Sequence, residues 1–281
     1  MQARKLRVSM GQLLVEGGEP LRNLERAVQL VAQAAGQGAQ VIVLPETLDL
    51  GWTHPSAQTE AMPIPGPYSD VLCASAREHK IYICAGLTER DGERVYNAAV
   101  LINDAGEILL KYRKINLLGV CDDYYTIGNM LSVVETPLGV IGVDICSDNY
   151  GDCMEIGHVL ARMGAQIILS PSSWTSDYSY VEGQDPYGKK WFGPYFHLAS
   201  LFDMVVIGCT SVGYIVGGPY EGKKMIGCSL VVDKSGLVAQ GKYNEFASDL
   251  VLAEVTVPER LIHGTGIGQM LIDKGYRLLL S

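Results

Sequence analysis

Residues 138–152, with the sequence LGVIGVDICSDNYGD, constrain the fold of this chain more than any other stretch. The first half predicts a buried β-strand, because it is almost wholly apolar and rich in valine and isoleucine. The chain turns polar directly after Cys146, and apolar residues then recur at helical spacing from Cys153 to Met163. Cys146 is therefore expected where a strand gives way to a helix, on a rigid support. Most cysteines are small buried apolar residues, so position alone does not make Cys146 a nucleophile.

The composition is that of a globular protein and excludes several classes. The 281 residues are 48% hydrophobic and carry a formal net charge of −9 without a basic cluster, which argues against nucleic-acid binding. The start lacks the apolar core of a signal peptide, and the longest apolar segment, 204–218, is too short and glycine-broken to span a membrane. Seven scattered cysteines without a CxxC pair, and five histidines without metal-ligand spacing, predict free thiols, no zinc site and a reducing, cytoplasmic location.

Strand-like and helical patterns alternate along the chain, which predicts an α/β fold. The runs between residues 81 and 112 are separated by turn residues and predict antiparallel hairpins, so we expect mixed sheets. The predicted strands are 6–15, 40–44, 81–87, 95–103, 107–112, 140–145, 166–169, 205–209, 226–232, 237–240 and 250–255, and the predicted helices are 19–35, 68–79, 153–163 and 194–202. The irregular segment 175–193 is rich in Tyr, Asp, Gly and Trp, a composition typical of long loops that line a site.

Three chemically capable side chains follow three of the predicted strands. Glu46, Lys114 and Cys146 each lie just beyond an apolar run. Each has an ordinary explanation when it is taken alone: a loop glutamate, a solvated turn lysine and a packed cysteine. If the three strands are neighbours in one layer, however, the side chains meet at one edge of it.

The segments around these residues, 41–47 (VIVLPET), 111–118 (KYRKINLL) and 142–174 (GVDICSDNYGDCMEIGHVLARMGAQIILSPSSW), resemble the three signature blocks of the nitrilase superfamily of carbon–nitrogen hydrolases. The resemblance runs from about residue 6 to about residue 255. It implies a single domain over residues 1–281 with a C-terminal arm from about residue 257. It also implies a four-layer α-β-β-α sandwich, association into homodimers or larger homo-oligomers, and a catalytic triad formed by Glu46, Lys114 and Cys146.

The chemistry of such a triad follows from its side chains. Amide carbons are poor electrophiles, and covalent attack by sulfur divides the reaction into two easier steps. Glu46 can accept the thiol proton, and the ammonium of Lys114 offsets negative charge. Lys114 and the backbone N–H of Ser147 are expected to stabilise the oxyanion, so that no metal or other cofactor is required. An activated Cys146 should react with iodoacetamide faster than the other six cysteines, and below neutral pH.

Two departures from the family pattern concern the substrate pocket. Ser147 replaces the aromatic residue that usually follows the nucleophile, which reshapes the pocket beside Cys146. Many members carry a second glutamate in the loop after the lysine. Here alignment on the following tyrosines places Cys121 on that glutamate, whereas a slip of one or two residues places Asp122 or Asp123 there, and we favour the aspartates. The predicted substrate-binding residues are therefore Asp122, Asp123, Ser147 and Trp174.

The main hypothesis is a cysteine-dependent amidohydrolase that acts on a small linear amide or N-carbamoyl amine and releases ammonia. Nitrile hydrolysis is disfavoured, because true nitrilases usually carry Trp-Glu directly after the nucleophile, where this chain has Ser147-Asp148. Asp177 and Asp185, together with Asp122 and Asp123, suggest a cationic substrate, although exposed acids are ordinary in an acidic chain. A non-catalytic binding protein on the same fold and acyl transfer to an amine remain as alternatives.

Overall fold

Two large mixed β-sheets form the centre of the molecule in the computed structural model, which describes residues 4–180, 189–259 and 267–275. The strands are β1 (Arg4–Gln12), β2 (Val41–Val43), β3 (Tyr82–Asp91), β4 (Arg94–Ile102), β5 (Ile108–Arg113), β6 (Val133–Thr136), β7 (Gly139–Val143), β8 (Ile167–Ser172), β9 (Thr175–Ser176), β10 (Val205–Thr210), β11 (Val212–Tyr214), β12 (Lys224–Ile226), β13 (Leu230–Asp233), β14 (Gly236–Gln240) and β15 (Asp249–Val257). The helices are α1 (Pro20–Gly36), α2 (Ala57–Glu60), α3 (Pro67–His79), α4 (Glu155–Arg162), α5 (Lys189–Phe202) and α6 (Ile267–Asp273). Short 3₁₀ turns cover Gly119–Cys121 and Cys146–Asn149.

The four-layer α-β-β-α sandwich expected from the resemblance is confirmed. The first sheet has the strand order β15-β1-β2-β3-β4-β5 and the second has the order β14-β13-β10-β8-β7-β6. The sheets face each other, with β1 against β10 and β3 against β8. Helices α1 and α3 cover the outer face of the first sheet, and α5 packs on β10, β13 and β14 of the second sheet beside α4.

Burial on both faces of the sheets explains the nearly continuous apolar runs in the sequence. In β2, Ile42 packs with the helices α1 and α3, whereas Val41 and Val43 point into the space between the sheets. Helix α1 begins at Pro20, where a missing N–H costs nothing, and buries a stripe that includes Leu24 and Val31. Leu21, which the helical pattern also places in this stripe, is instead 77% exposed.

The second half of the chain departs from the sequence prediction at two places. The predicted strand 226–232 divides into β12 and β13, because Gly227 and Cys228 adopt positive φ angles of 67° and 59° between them. As a result β12 leaves the second sheet and pairs with β9 and β11 in a small third sheet. Helix α5 begins at Lys189 and not at Pro194, which lies inside the helix.

Some predictions fall on parts of the chain outside the described residues. Residues 181–188 of the predicted site-lining loop, including Asp185, and most of the C-terminal arm belong to this group. Across the ranges that are described, no helix is both long and apolar enough to cross a bilayer.

Candidate active site

The backbone at the end of β2 carries Glu46 into the space between the sheets. Its N–H donates to the carbonyl of Ser172 at 3.3 Å, which ties this loop to β8 of the opposite sheet. Gly86 of β3 permits the passage, because a Cβ at that position would lie only 2.4 Å from Glu46 Cα. Glu46 is 1% exposed, so its carboxylate depends on the protein for its hydrogen bonds.

Lys114 directly follows β5, and its fully buried side chain faces Glu46. Its backbone N–H donates to the carbonyl of Asn97 on β4 at 2.8 Å, and its Nζ donates to Glu46 Oε1 at 2.6 Å. The amide of Asn97 donates to the same oxygen at 2.6 Å. Burial alone would lower the pKa of Lys114, but the neighbouring Glu46 and Cys146 raise it above its usual value. Lys114 is therefore a charged ammonium at neutral pH.

Cys146 begins the polar turn after β7 and has an unusual backbone conformation. Its φ angle is +49°, in the left-handed region that a cysteine rarely adopts, and only 3% of the residue is exposed. Burial and the Glu46 carboxylate raise the pKa of the thiol well above its usual range, although Lys114 and the backbone N–H of Ser173 oppose the shift. The raised pKa favours a neutral thiol over the low-pKa thiolate expected from the sequence, and it gives a neighbouring base a role in the reaction.

A buried carboxylate, Asp148, braces the turn that holds Cys146. Its Oδ2 accepts hydrogen bonds from the Ile145 N–H at 2.9 Å and the Tyr112 hydroxyl at 2.8 Å. Its Oδ1 accepts from the Asn116 N–H at 2.9 Å. Burial raises the pKa of Asp148 to about 6, with Lys114 opposing the shift. This one side chain therefore connects the nucleophile turn with the strand and loop on either side of Lys114.

Cys146 lies in the wall of a cavity of about 530 Å³, a volume suited to a small molecule. Aromatic and polar side chains make up most of the wall. The lining residues described are Trp52, Leu118, Cys146, Tyr150, Ser173, Thr175, Ser176, Asp177, Ser179, Tyr180, Lys190, Trp191, Tyr220 and Lys223. Segment 175–180 of the predicted site-lining loop thus borders the cavity.

Charged groups in this wall are mostly cationic. The Lys190 ammonium lies 4.6 Å from the ring centre of Tyr150, and the Lys223 ammonium lies 4.6 Å from that of Tyr220. Asp177 pairs with Lys223 at 3.1 Å. Two ammonium groups and one carboxylate therefore line the described part of the cavity.

The two aspartates predicted to bind substrate lie elsewhere. Asp122 and Asp123 are exposed and do not line the cavity, because the 3₁₀ turn Gly119–Cys121 directs Cys121 inward and leaves the following residues in solvent. Cys121 is fully buried near the triad, and burial raises the pKa of its thiol to about 11 while Lys114 opposes the shift. The alignment that we disfavoured, with Cys121 in the place of the second glutamate, fits this placement.

Ser147 and Trp174 support the site without lining the cavity. The Ser147 hydroxyl donates to the carbonyl of Asn116 at 2.6 Å, so it helps Asp148 to fix the loop after Lys114. Trp174 is 1% exposed and stacks on Trp191 with ring centres 4.7 Å apart. Trp174 therefore packs behind Trp191, whose ring lines the cavity, and Trp174 itself would not touch a substrate directly.

Several residues that build the site carried no clear sequence signal. Asn97 and Tyr112 are inward-facing strand residues that a periodicity of two marks only as buried. Trp52 and Tyr220 come from loops distant in sequence and meet at 5.2 Å in an edge-to-face contact. Within residues 4–180, 189–259 and 267–275, no group of three or more His, Cys, Asp or Glu side chains could hold a metal ion.

Comparison with known proteins gives matches to amide-cleaving and related enzymes. A family model described as carbon-nitrogen hydrolase matches residues 7–260. The omega-amidase NIT2 of Danio rerio is 33% identical over 162 residues, which cover 54% of this chain and 58% of that protein. The match thus spans less than two-thirds of the relative's length.

Two solved structures resemble the whole chain in fold. Saccharomyces cerevisiae Nit3, a member of branch 10 of the nitrilase superfamily, has a TM-score of 0.76 and 23% identity and covers 98% of this chain and 96% of its own. A mutant amidase from Nesterenkonia sp. AN1, with acrylamide added at its active-site cysteine, has a TM-score of 0.74 and 20% identity. The match covers 90% of this chain and 94% of that amidase chain. At these identities the likeness establishes the fold.

Proposed function

Because this chain belongs to the carbon–nitrogen hydrolase family, we propose that it is a cysteine-dependent amidohydrolase. It cleaves a non-peptide C–N bond of a small linear amide or N-carbamoyl amine and releases ammonia. One observation carries the proposal: a buried Lys114–Glu46 ion pair adjoins the thiol of Cys146, which lines a cavity large enough for a small molecule. Burying the charges of Lys114 and Glu46 costs free energy. Because the pair lies beside the nucleophile, a catalytic role explains why both charges are buried there.

In the first half of the reaction, Cys146 forms a bond to the carbonyl carbon of the amide. Glu46 removes the thiol proton as the sulfur attacks, which the raised pKa of the thiol requires. The charged Lys114 stabilises the oxyanion, assisted by the backbone N–H of Ser147. Protonated Glu46 then donates to the nitrogen as the C–N bond breaks, so that ammonia leaves and a thioester remains.

In the second half, water attacks the thioester and Glu46 accepts a proton from it. The C–S bond breaks, the sulfur regains its proton from Glu46, and the carboxylic acid product leaves. Lys114 remains charged through both halves, because its pKa lies above its usual value. Asn97 and Lys114 hold Glu46 Oε1, which leaves Oε2 for the proton transfers.

The charges of the cavity favour a neutral or anionic substrate, in contrast to the cationic one suggested by the sequence. Lys190 and Lys223 bring two ammonium groups to the wall, and the protein's own cations already cover the rings of Tyr150 and Tyr220. The ω-amide of a short dicarboxylate presents an amide at one end and a carboxylate at the other, which suits this arrangement. The name omega-amidase of the Danio rerio relative supports this substrate class.

Ammonia release from a panel of compounds tests the proposal. The panel contains neutral short amides, ω-amides of dicarboxylates, N-carbamoyl amines, N-carbamoyl amino acids and nitriles. Cys146→Ala should abolish release, and Cys153→Ala, at a partly exposed cysteine outside the site, should not. Release that persists in Cys146→Ala would contradict the assignment, and release from nitriles alone would replace amide cleavage with nitrile hydrolysis.

The preference for an anionic substrate has its own test. Lys190→Gln should raise the KM for succinamate, the monoamide of succinic acid, by about tenfold, because an ammonium–carboxylate contact near the protein surface is lost. The KM for propionamide, which has no charge, should change little. Equal changes for both amides would show that Lys190 does not recognise the carboxylate.

A further inference from the structure

A second, much smaller cavity lies beside Glu46. The space that the centres of water molecules can occupy there is about 30 Å³, and about 10–15 Å³ suffices for one water molecule. The lining residues described are Val15, Gly17, Glu46, Gly51, Trp52, His54, Ser173, Ser211, Gly213, Tyr214, Ile215, Val216 and Met225. A space of this size holds one or two water molecules.

Two buried polar groups in this wall have complementary hydrogen-bonding needs. Glu46 Oε2 is an acceptor and Trp52 Nε1–H is a donor, and apart from the Cys146 thiol beside Glu46 neither has a hydrogen-bond partner among the described residues. An unsatisfied buried polar group is costly, so each requires an explanation. A water molecule between them would donate to Glu46 and accept from Trp52. Ser173 and Ser211 line the same space, and a serine hydroxyl that faces it would supply a further partner.

The small cavity and the large cavity share part of their walls. Trp52 and Ser173 line both. Cys146 lines only the large cavity, whereas Glu46 lines only the small one. Glu46, whose side chain is hydrogen-bonded to the Cys146 thiol, therefore also borders the small cavity.

We propose that the small cavity is a water site that supplies the nucleophile for thioester hydrolysis, an inference that rests on the proposed amidohydrolase function. Water held between Trp52 and Glu46 reaches the thioester without passing through the large cavity, which the acyl group then occupies. Its oxygen forms the new bond to the carbonyl carbon, one proton passes to Glu46 Oε2, and the C–S bond breaks. The sulfur takes up the proton from Glu46, so atoms and charges balance.

Partitioning of the thioester between water and hydroxylamine tests the proposal. Hydroxylamine attacks thioesters without a protein base, and both products arise from the same intermediate, so the ratio of hydroxamate to acid does not depend on the rate of acylation. With succinamate as the substrate, Ser211→Val places two methyl groups in the small cavity. The ratio should rise by about tenfold or more, because water is displaced from the base.

The matched control is Ser75→Val on helix α3, since Ser75 is also a serine with 3% exposure and lies outside both cavities. This variant should leave the ratio unchanged. A second variant, Trp52→Phe, removes the indole N–H and keeps an aromatic ring, and the ratio should rise again. If Ser211→Val does not fold, Trp52→Phe provides the test of the water site.

If folded Ser211→Val leaves the ratio of hydroxamate to acid unchanged, the water site is overturned, because water then reaches the thioester through the large cavity. If Ser211→Val does not fold, an unchanged ratio in Trp52→Phe has the same meaning. Wild-type protein that yields neither acid nor hydroxamate from succinamate or from any amide of the panel would overturn the hydrolase proposal itself. The two failures are therefore distinguishable.

Discussion

At the scale of single residues, the state of Cys146 decides how the reaction begins. Burial and the charge of Glu46 hold the thiol in its neutral form in the resting protein. Deprotonation then belongs to the chemical step and requires Glu46 as a base.

The pH dependence of the thiol follows from the direction of this shift. A raised pKa means that Cys146 keeps its proton at pH values where an ordinary thiol, with a pKa of about 8.5, has begun to lose it. The ultraviolet absorbance of thiolate, measured as the difference between wild type and Cys146→Ser, should show no titration up to about pH 8.5. A titration near pH 6 would indicate a preformed thiolate and contradict this account.

Asn97 positions the base without touching the reacting sulfur. Because a hydrogen bond to a charged group is worth about 1.5–3 kcal/mol, Asn97→Ala should lower kcat by about ten- to a hundredfold by freeing the Glu46 carboxylate. The KM should change little. Asn103→Ala is the control, since this asparagine makes a similar bond of 2.8 Å to Glu107 at the surface. Equal effects of the two substitutions would argue against a role of Asn97 in positioning.

At the scale of secondary-structure elements, the site depends on strands that end at the same place. The loop after β2 crosses β3 at Gly86, where two hydrogen bonds of 3.0 Å, Gly86 N–H to Pro45 and Leu48 N–H to Gly86, fix the two backbones together. No side chain fits between them, since a Cβ on Gly86 would also lie 2.8 Å from the Pro45 oxygen.

Gly86→Ala should therefore damage stability and activity together. We expect a loss of about 1–3 kcal/mol in the free energy of unfolding from the forced displacement, together with a lower kcat as Glu46 moves. Denaturant unfolding and ammonia release measure the two effects. Gly36→Ala, at the end of α1 with open space around it, should leave both nearly unchanged. An unaffected kcat in folded Gly86→Ala would show that the loop tolerates the displacement.

At the scale of the whole molecule, three buried carboxyl groups link stability to pH. Burial raises the pKa of Asp49 to about 6, that of Asp144 to about 7 and that of Asp148 to about 6. At pH values between the pKa of about 3.9 in the unfolded chain and these raised pKa values, the folded protein binds more protons than the unfolded chain. The contribution of the three groups to the free energy of unfolding therefore falls as pH rises from about 4 to 7.

Asp144→Asn should reduce this slope. The variant keeps an acceptor for the Asn149 amide, which lies 2.6 Å from Asp144 Oδ1, but removes one titrating group. Denaturant unfolding at several pH values between 4 and 7 gives the slope for both proteins. An unchanged slope would show that Asp144 titrates alike in the folded and unfolded states.

The residue patterns predicted mixed sheets and brought Glu46, Lys114 and Cys146 to the ends of strands, because apolar runs and their polar ends are local signals. The four-layer sandwich came from the resemblance to the nitrilase superfamily. The sequence did not predict the division of segment 226–232, since residue spacing does not mark the positive φ angles of Gly227 and Cys228. It also placed Asp122 and Asp123 at the substrate, whereas the structure directs Cys121 inward. Loop direction and the meeting of Trp52 with Tyr220 depend on long-range packing, which residue spacing does not encode.

The most direct test of the central claim is the mass of the enzyme during turnover. Wild-type protein is mixed with succinamate, quenched in acid within the first turnovers and digested. The masses of the resulting peptides are then measured by mass spectrometry. The account predicts an added acyl group on the peptide that contains Cys146 and on no other, and no addition in Cys146→Ala. An acyl adduct on another cysteine, or an adduct and ammonia release that persist in Cys146→Ala, would contradict the account.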